Sequence, residues 1–251
     1  MISIKSQREI DCMRRAGEIT GLALAAGGRA VEPGVTTAQI DRIVRESIVS
    51  RGATPSFLGY RGYPASCCIS INSEVIHGIP GSRKLRPGDI VSIDVGAFYD
   101  GFHGDTAATF PVGDISPEAA RLIEVTRKCF FDGVKKAMAG ARIGDISRAV
   151  EKTARGAGYG VVRDYTGHGV GRQLHEDPSV PNYSDGSHGP RLLPGMTFAI
   201  EPMINAGGDG IIVLKDGWTV KTADGSLSAH YEHTVCVTDD SPILLTQVTA
   251  P

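Results

Sequence analysis

The 251-residue chain has no run of about 18 consecutive apolar residues, and its opening MISIKSQREIDCMRR holds neither an apolar core nor a small-residue cleavage site. Both absences argue against a spanning helix or a secretory leader, so a cytoplasmic protein without a membrane partner is expected. There is no CxxC: the five cysteines, Cys12, Cys67, Cys68, Cys129 and Cys236, are odd in number and include an adjacent pair. That suits free thiols better than a disulfide frame or a thiolate zinc site. Net charge is also small, −2, and the dense basic run Arg83, Lys84, Arg86 reads as solvated loop, so no direct nucleic-acid binding is expected. GxSxG and HExxH are missing, which removes nucleophile-elbow hydrolases and zincins. GHGVG and GAGYG are fragments of GxGxxG, but neither opens a helix after a strand with an acidic residue about 20 positions on, so dinucleotide binding is rejected. With no linker or low-complexity tract, one catalytic domain over 1–251 is expected.

What is present has an order. Ser6 with Glu9, and Thr36 with Gln39, have the form of capping boxes ahead of apolar residues at helical spacing, predicting helices from Ser6 to Ala26 and from Thr36 to near Gly52. Ser116 and Pro117 start a third, and Asp145 to Ala157 makes a fourth. Two helices followed by strands occur twice. Gly34 to Ile40 and Gly140 to Ile146 share one separation at an offset of 106, which carries Asp94 to within one residue of Glu201. The expectation is an α+β fold: a duplicated pseudo-two-fold unit, halves about 1–112 and 113–251, with a central sheet and outer helices.

The stretch VSIDVGAFYDGFHGDTAATF reads as a β-hairpin turning at Tyr99-Asp100 or Asp100-Gly101. Either register puts Asp94 and Asp105 on one face, opposite or diagonal, with Cβ atoms about 5 to 8 Å apart. Like charges so placed on a half-buried face need an offset. Solvent-facing edge strands or a shared proton are alternatives. Three further stretches weigh against them: GHG sets His168 between glycines, MTFAIEPMI ends an apolar strand with Glu201, and HYEHTVCVT puts Glu232 before Val235 and Val237. Four carboxylates and one imidazole carry a formal charge that two divalent cations cancel, and oxygen-rich coordination with a single imidazole suits Mn, Fe, Co or Zn.

The strings YRGYPASCCISIN, HGIPG, GDIVSIDVGAFYDGFHGDTAATF, GHGVGRQLHEDP, LPGMTFAIEPM and DGWTVKTADGSLSAHYEHTVCVT resemble those of bacterial type I methionine aminopeptidases over nearly the whole chain. The resemblance implies the pita-bread (creatinase/aminopeptidase) fold with a central antiparallel sheet. It also implies an enzyme that removes the initiator methionine from nascent proteins and peptides with a small second residue, by dinuclear-metal-activated attack of water on the first peptide bond. It implies Asp94, Asp105, His168, Glu201 and Glu232 as ligands of two metal ions, Asp105 and Glu232 bridging, with Glu201 also the general base. His175 would hydrogen-bond the scissile carbonyl and His77 would help hold the substrate. Phe57, Tyr60, Tyr63, Cys68, Leu174 and Trp218 would line the methionine pocket, together with both histidines. Phe57 stands where a small residue or Cys is usual, and Leu174 where Phe is usual, which bears on pocket shape and inhibitors. The short form without added domains would act as a monomer on nascent chains at the ribosome exit. A non-catalytic binding module and a proline-specific peptidase on the same fold are the rivals; the filled ligand positions weigh against the first, and Met-Ala-Ser against X-Pro substrates separates the second.

Overall fold

Hydroxyl caps start three of the four long helices of the computed structural model, which describes residues 1–248. In α1 (Gln7–Arg29) Ser6 accepts from the Glu9 N–H while the Glu9 carboxylate accepts from the Ser6 N–H at 2.9 Å, and Thr36 with Gln39 does the same for α2 (Thr37–Val49). Ser116 caps α3 (Pro117–Val134), whose first residue is Pro117. The fourth, α4 (Ile143–Gly156), starts two residues before the expected Asp145. Asp145 is the third helical residue, and its carboxylate reaches back to the Arg142 N–H at 2.8 Å, so this acid supports the start rather than marking it. Helix α1 also runs past Ala26, because Gly27 and Gly28 are contact points rather than stops. A Cβ on Gly27 would lie 2.8 Å from Val44 Cγ2, and one on Gly28 would meet the Phe110 ring.

The strands that position the site are β1 (Cys67–Ile71), β2 (Ile90–Tyr99), β3 (Phe102–Pro111), β4 (Gly167–Gly169), β5 (Glu176–Val180), β6 (Thr197–Ile200), β7 (Ser228–His230) and β8 (Glu232–Cys236). A mixed-length antiparallel sheet runs β2-β3-β8-β6-β4-β5, with β1 and Thr54–Pro55 both paired to β2 and Ile243–Leu244 paired to β8. Smaller three-stranded sheets hold β7 and, separately, Glu74–Ile76. Helices cover one face of the large sheet. Val91, Ile93 and Val95 of β2 join Ile40, Val44 and Ile48 in one buried cluster; Phe198, Ile200 and Val235 join Leu122, Phe130 and Ile146 in the other. Each such side chain contributes roughly 1.5–3 kcal/mol by leaving water. Strand alternation turns Asp94 and its neighbours at i±2 to the opposite face.

The expected duplication is visible bond by bond. Gly34 and Gly140 both take left-handed φ, +89° and +88°, and donate to the carbonyls of Leu85 (2.8 Å) and Leu192 (2.9 Å). Leu85 and Leu192 in turn donate to Val35 and Ala141, both at 2.8 Å. Farther on, Val112 donates to Asp89 and Val237 to Met196, both at 2.9 Å, while Val91 pairs with Phe110 and Phe198 with Val235. The first strand of each pair is thus offset by 107 and the second by 125. No helix among the described residues is long and apolar enough to cross a membrane.

Candidate metal centre

The hairpin takes the second expected register. Tyr99 pairs with Phe102 around Asp100 (φ 50°) and Gly101 (φ 82°), both left-handed as a tight two-residue turn requires. Asp94 faces Ala107 and Gly96 faces Asp105, which makes the two aspartates diagonal neighbours on the face away from α1 and α2. Glu232 opens β8 directly opposite Ala107, and Glu201 follows β6, its carbonyl accepting from Asn182 Nδ2 at 3.0 Å. His168 lies in β4 at a register shift. Its flanking glycines serve the neighbouring strands: a Cβ on Gly167 would strike the Ala199 carbonyl, and one on Gly169 the Asp177 carbonyl.

These groups converge. His168 Nε2 lies 3.4 Å from Glu201 Oε1 and 3.7 Å from Asp105 Oδ2. Its Nδ1 is 2.9 Å from the Gly169 carbonyl, which only accepts, so Nδ1 carries the proton and Nε2 turns a lone pair toward the acids. Asp94 Oδ1, Asp105 Oδ1 and Glu232 Oε1 are buried without a hydrogen-bond partner. Burial raises the Asp94 carboxyl to about 7, and burial followed by the neighbouring carboxylates holds Asp105, Glu201 and Glu232 well above the ordinary range. Orphaned acid oxygens facing a neutral imidazole are the donor set of a divalent cation site, and the residues fit one. Ligand atoms of Asp105, His168 and Glu232 lie within 4.8 Å of one another, and so do those of Asp94, His230 and Glu232, so Glu232 belongs to both groups.

Every residue expected to build the site lines one cavity of about 420 Å³. Phe57, Tyr63, Cys68 and Leu174 form a small apolar cluster with Tyr60 and Trp218 against it, Trp218 edge-on to Tyr63 at 5.1 Å. His175 stacks on Tyr60 at 5.2 Å and lies 3.9 Å from the His168 ring. Burial keeps His77, His168 and His175 neutral, pushed down to about 4, about 4 and about 3; the neighbouring His168 adds to the shift at His175. His77 takes a left-handed φ of 59°, a conformation retained where the surroundings force it. Tyr165, edge-on to His77 at 5.4 Å, and Ile76 also line the cavity and were not foreseen. His230 was not foreseen either. Its stretch changes strand between His230 and Glu232, so strand periodicity carries no continuous signal there, while Tyr231 between them packs against the helix-side cluster.

Metallopeptidase family M24 matches residues 11–239. The chain belongs to that family. Within it, the chain is 52% identical to a methionine aminopeptidase of Clostridium perfringens over 99% of this chain and all of the relative. It is 47% identical to methionine aminopeptidase 1 of Bacillus subtilis at the same coverage. The crystal structure of methionine aminopeptidase from Rickettsia prowazekii superposes with a TM-score of 0.96 at 44% identity, covering 98% of this chain and all of that one. Prolidase from Pyrococcus furiosus shares the fold at a TM-score of 0.77, with 24% identity over 98% of this chain and 66% of its own. The M24 chain is a metallo-exopeptidase of the aminopeptidase type and uses divalent metal.

Proposed function

We propose that this enzyme removes the N-terminal methionine from nascent proteins and peptides with a small second residue. The observation that carries the reading is one cavity whose wall is an acid-and-imidazole cluster on one side and an apolar, aromatic-edged cluster on the other. An unbranched thioether packs well against such edges. Asp94, Asp105, His168, Glu201 and Glu232 would hold two divalent ions, Co, Mn, Fe or Zn, with Asp105 and Glu232 shared between them as the family resemblance implies; for Glu232, its position in both donor groups supports the sharing. When bound, the ions supply Lewis acidity that lowers the pKa of water and polarises the scissile carbonyl. A Glu201 carboxylate oxygen takes the proton of the attacking water and returns it to the leaving amine. Neutral His175 donates one hydrogen bond to the carbonyl oxygen as it gains charge, and His77, fixed by its backbone, holds the substrate. Phe57, Tyr60, Tyr63, Cys68, Leu174 and Trp218 seat the methionine side chain.

On the same reading residues 1–251 are one catalytic domain with halves 1–112 and 113–251, a cytoplasmic monomer that meets its substrates at the ribosome exit. Purified protein is expected to hydrolyse Met-Ala-Ser, to lose that activity with chelator and regain it with a divalent ion. Cleavage of X-Pro peptides in preference to Met-Ala-Ser would overturn the specificity, and no hydrolysis of either would favour a binding module.

A further inference from the structure

We propose that His230 is a ligand of this centre: its Nε2 coordinates the ion held by Asp94 and Glu232, so that each of the two ions has one imidazole. The inference rests on the two-ion reading above and adds to it a second imidazole.

Four observations carry it. First, His230 is 1% exposed and neither ring nitrogen has a hydrogen-bond partner. A buried imidazole keeps at least one N–H donor or lone pair engaged in nearly all structures, so two idle nitrogens call for a ligand. Second, Nε2 lies 3.8 Å from Glu232 Oε2 and 3.9 Å from Glu201 Oε2. That is too long for a hydrogen bond and matches two donors on one cation, since bonds of about 2.0–2.2 Å opening at a wide angle put the donor atoms roughly 3.5–4 Å apart. Third, the ligand atoms of Asp94, His230 and Glu232 all lie within 4.8 Å of one another, as do those of Asp105, His168 and Glu232. The first set is the only place where Asp94 enters such a group among the described residues.

The fourth observation is the duplication. The offset of 125 that maps Phe110 onto Val235 and Val112 onto Val237 maps Ala107 onto Glu232 and Asp105 onto His230. His230 is therefore the second half's counterpart of a proposed bridging aspartate. Its backbone is fixed accordingly. The His230 N–H donates to Thr109 Oγ1 and its carbonyl accepts from the same hydroxyl, both at 2.9 Å, while Ser92 Oγ lies 2.8 Å from Thr109 Oγ1 and must donate to it. On the other side His230 pairs with Met203. A side chain held this firmly with its nitrogens free is placed for an ion rather than for packing.

A second nitrogen donor shifts the centre away from hard ions such as Mg toward borderline ones such as Co, Fe and Zn. The test loads metal-free full-length protein with Co(II), following uptake by calorimetry and the coordination by X-ray absorption fine structure. Wild type is expected to bind two cobalt ions with on average one imidazole per ion. His230→Gln is expected to drop that average to one half and to weaken the second binding step by about 10- to 100-fold, leaving the first within about threefold. Asp94→Asn is the control, weakening the same step. Wild type holding two ions with only half an imidazole per ion, or His230→Gln binding both as wild type does, overturns this inference alone. Should the variant not fold, the wild-type imidazole count decides by itself. Wild type binding fewer than two ions, or Asp94→Asn binding as wild type, sinks the two-ion reading and the inference with it.

Discussion

At the scale of single residues the decisive contrast is between carboxylates that find partners and carboxylates that do not. Glu9 and Asp145 accept from helix N-termini, as acids near such ends normally do, and stay below the ordinary range for that reason. Asp94, Asp105 and Glu232 keep buried oxygens free. Glu201 differs from these three in its proposed task. Its Oε1 faces His168 while its backbone carbonyl is tied to Asn182, so the carboxylate is aimed and not merely buried. Glu201→Gln keeps the shape and one coordinating oxygen but removes the base, and is expected to lower kcat on Met-Ala-Ser by about 10²- to 10⁴-fold with KM largely kept. A kcat within threefold of wild type would assign the proton transfer to another group. Asp94, Asp105, His168, Glu201 and Glu232 were legible in the sequence because each interrupts an apolar or glycine-rich pattern. His230 was not, because its stretch SAHYEHT changes strand between His230 and Glu232, and periodicity read across a break loses its phase.

At the scale of elements, helix α1 adds close backbone approach to the burial of Met13, Ile19 and Leu24. A Cβ on Gly104 of β3 would lie 2.8 Å from the Gly17 Cα and 2.7 Å from Thr20 Oγ1, and one on Gly17 would meet the Leu245 carbonyl oxygen. Gly17→Ala is therefore expected to destabilise by about 1–3 kcal/mol or more despite the better helix propensity of alanine, measured by the urea midpoint. A midpoint equal to or above wild type would mean that the segment carrying Leu245 yields freely. The helix starts were readable from Ser6, Thr36 and Ser116 since capping is local chemistry. The end of α1 was not, because the same glycine signals a stop in isolation and a contact in a packed fold.

At the scale of the whole molecule, the second half is tied to its sheet by a charge cluster away from the cavity. Asp209 accepts from both arms of Arg155 (2.7 and 2.6 Å), from Arg163 at 3.1 Å and from the Val161 N–H at 2.9 Å. The Arg155 bonds, offset in part by burial, hold its carboxyl down at about 2. A carboxyl depressed on folding contributes stability above its unfolded value near 4, and that contribution is lost as pH falls from about 4 to about 2. Asp209→Asn is expected to cost about 1 kcal/mol at pH 6, a figure kept small because both arginines are partly exposed, and the gap to wild type should narrow in urea titrations below about pH 4 and close near pH 2. A gap that stays constant with pH would mean that the hydrogen-bond geometry matters and the charge does not.

The sequence by itself determined the four helices and their order, the alternation that sets two aspartates on one face, and the chemical kind of the centre, because these depend on neighbours two to four residues apart. Tertiary structure decided which acids meet, which strands need glycine around His168, and that His230 joins Asp94 and Glu232. The glycines around His168 answer to Ala199 and Asp177 on neighbouring strands, and the meeting of Asp94 and Asp105 with His230 and Glu232 follows from the register between strands more than a hundred residues apart, which is set by packing on both helix pairs at once and leaves no local mark in the chain.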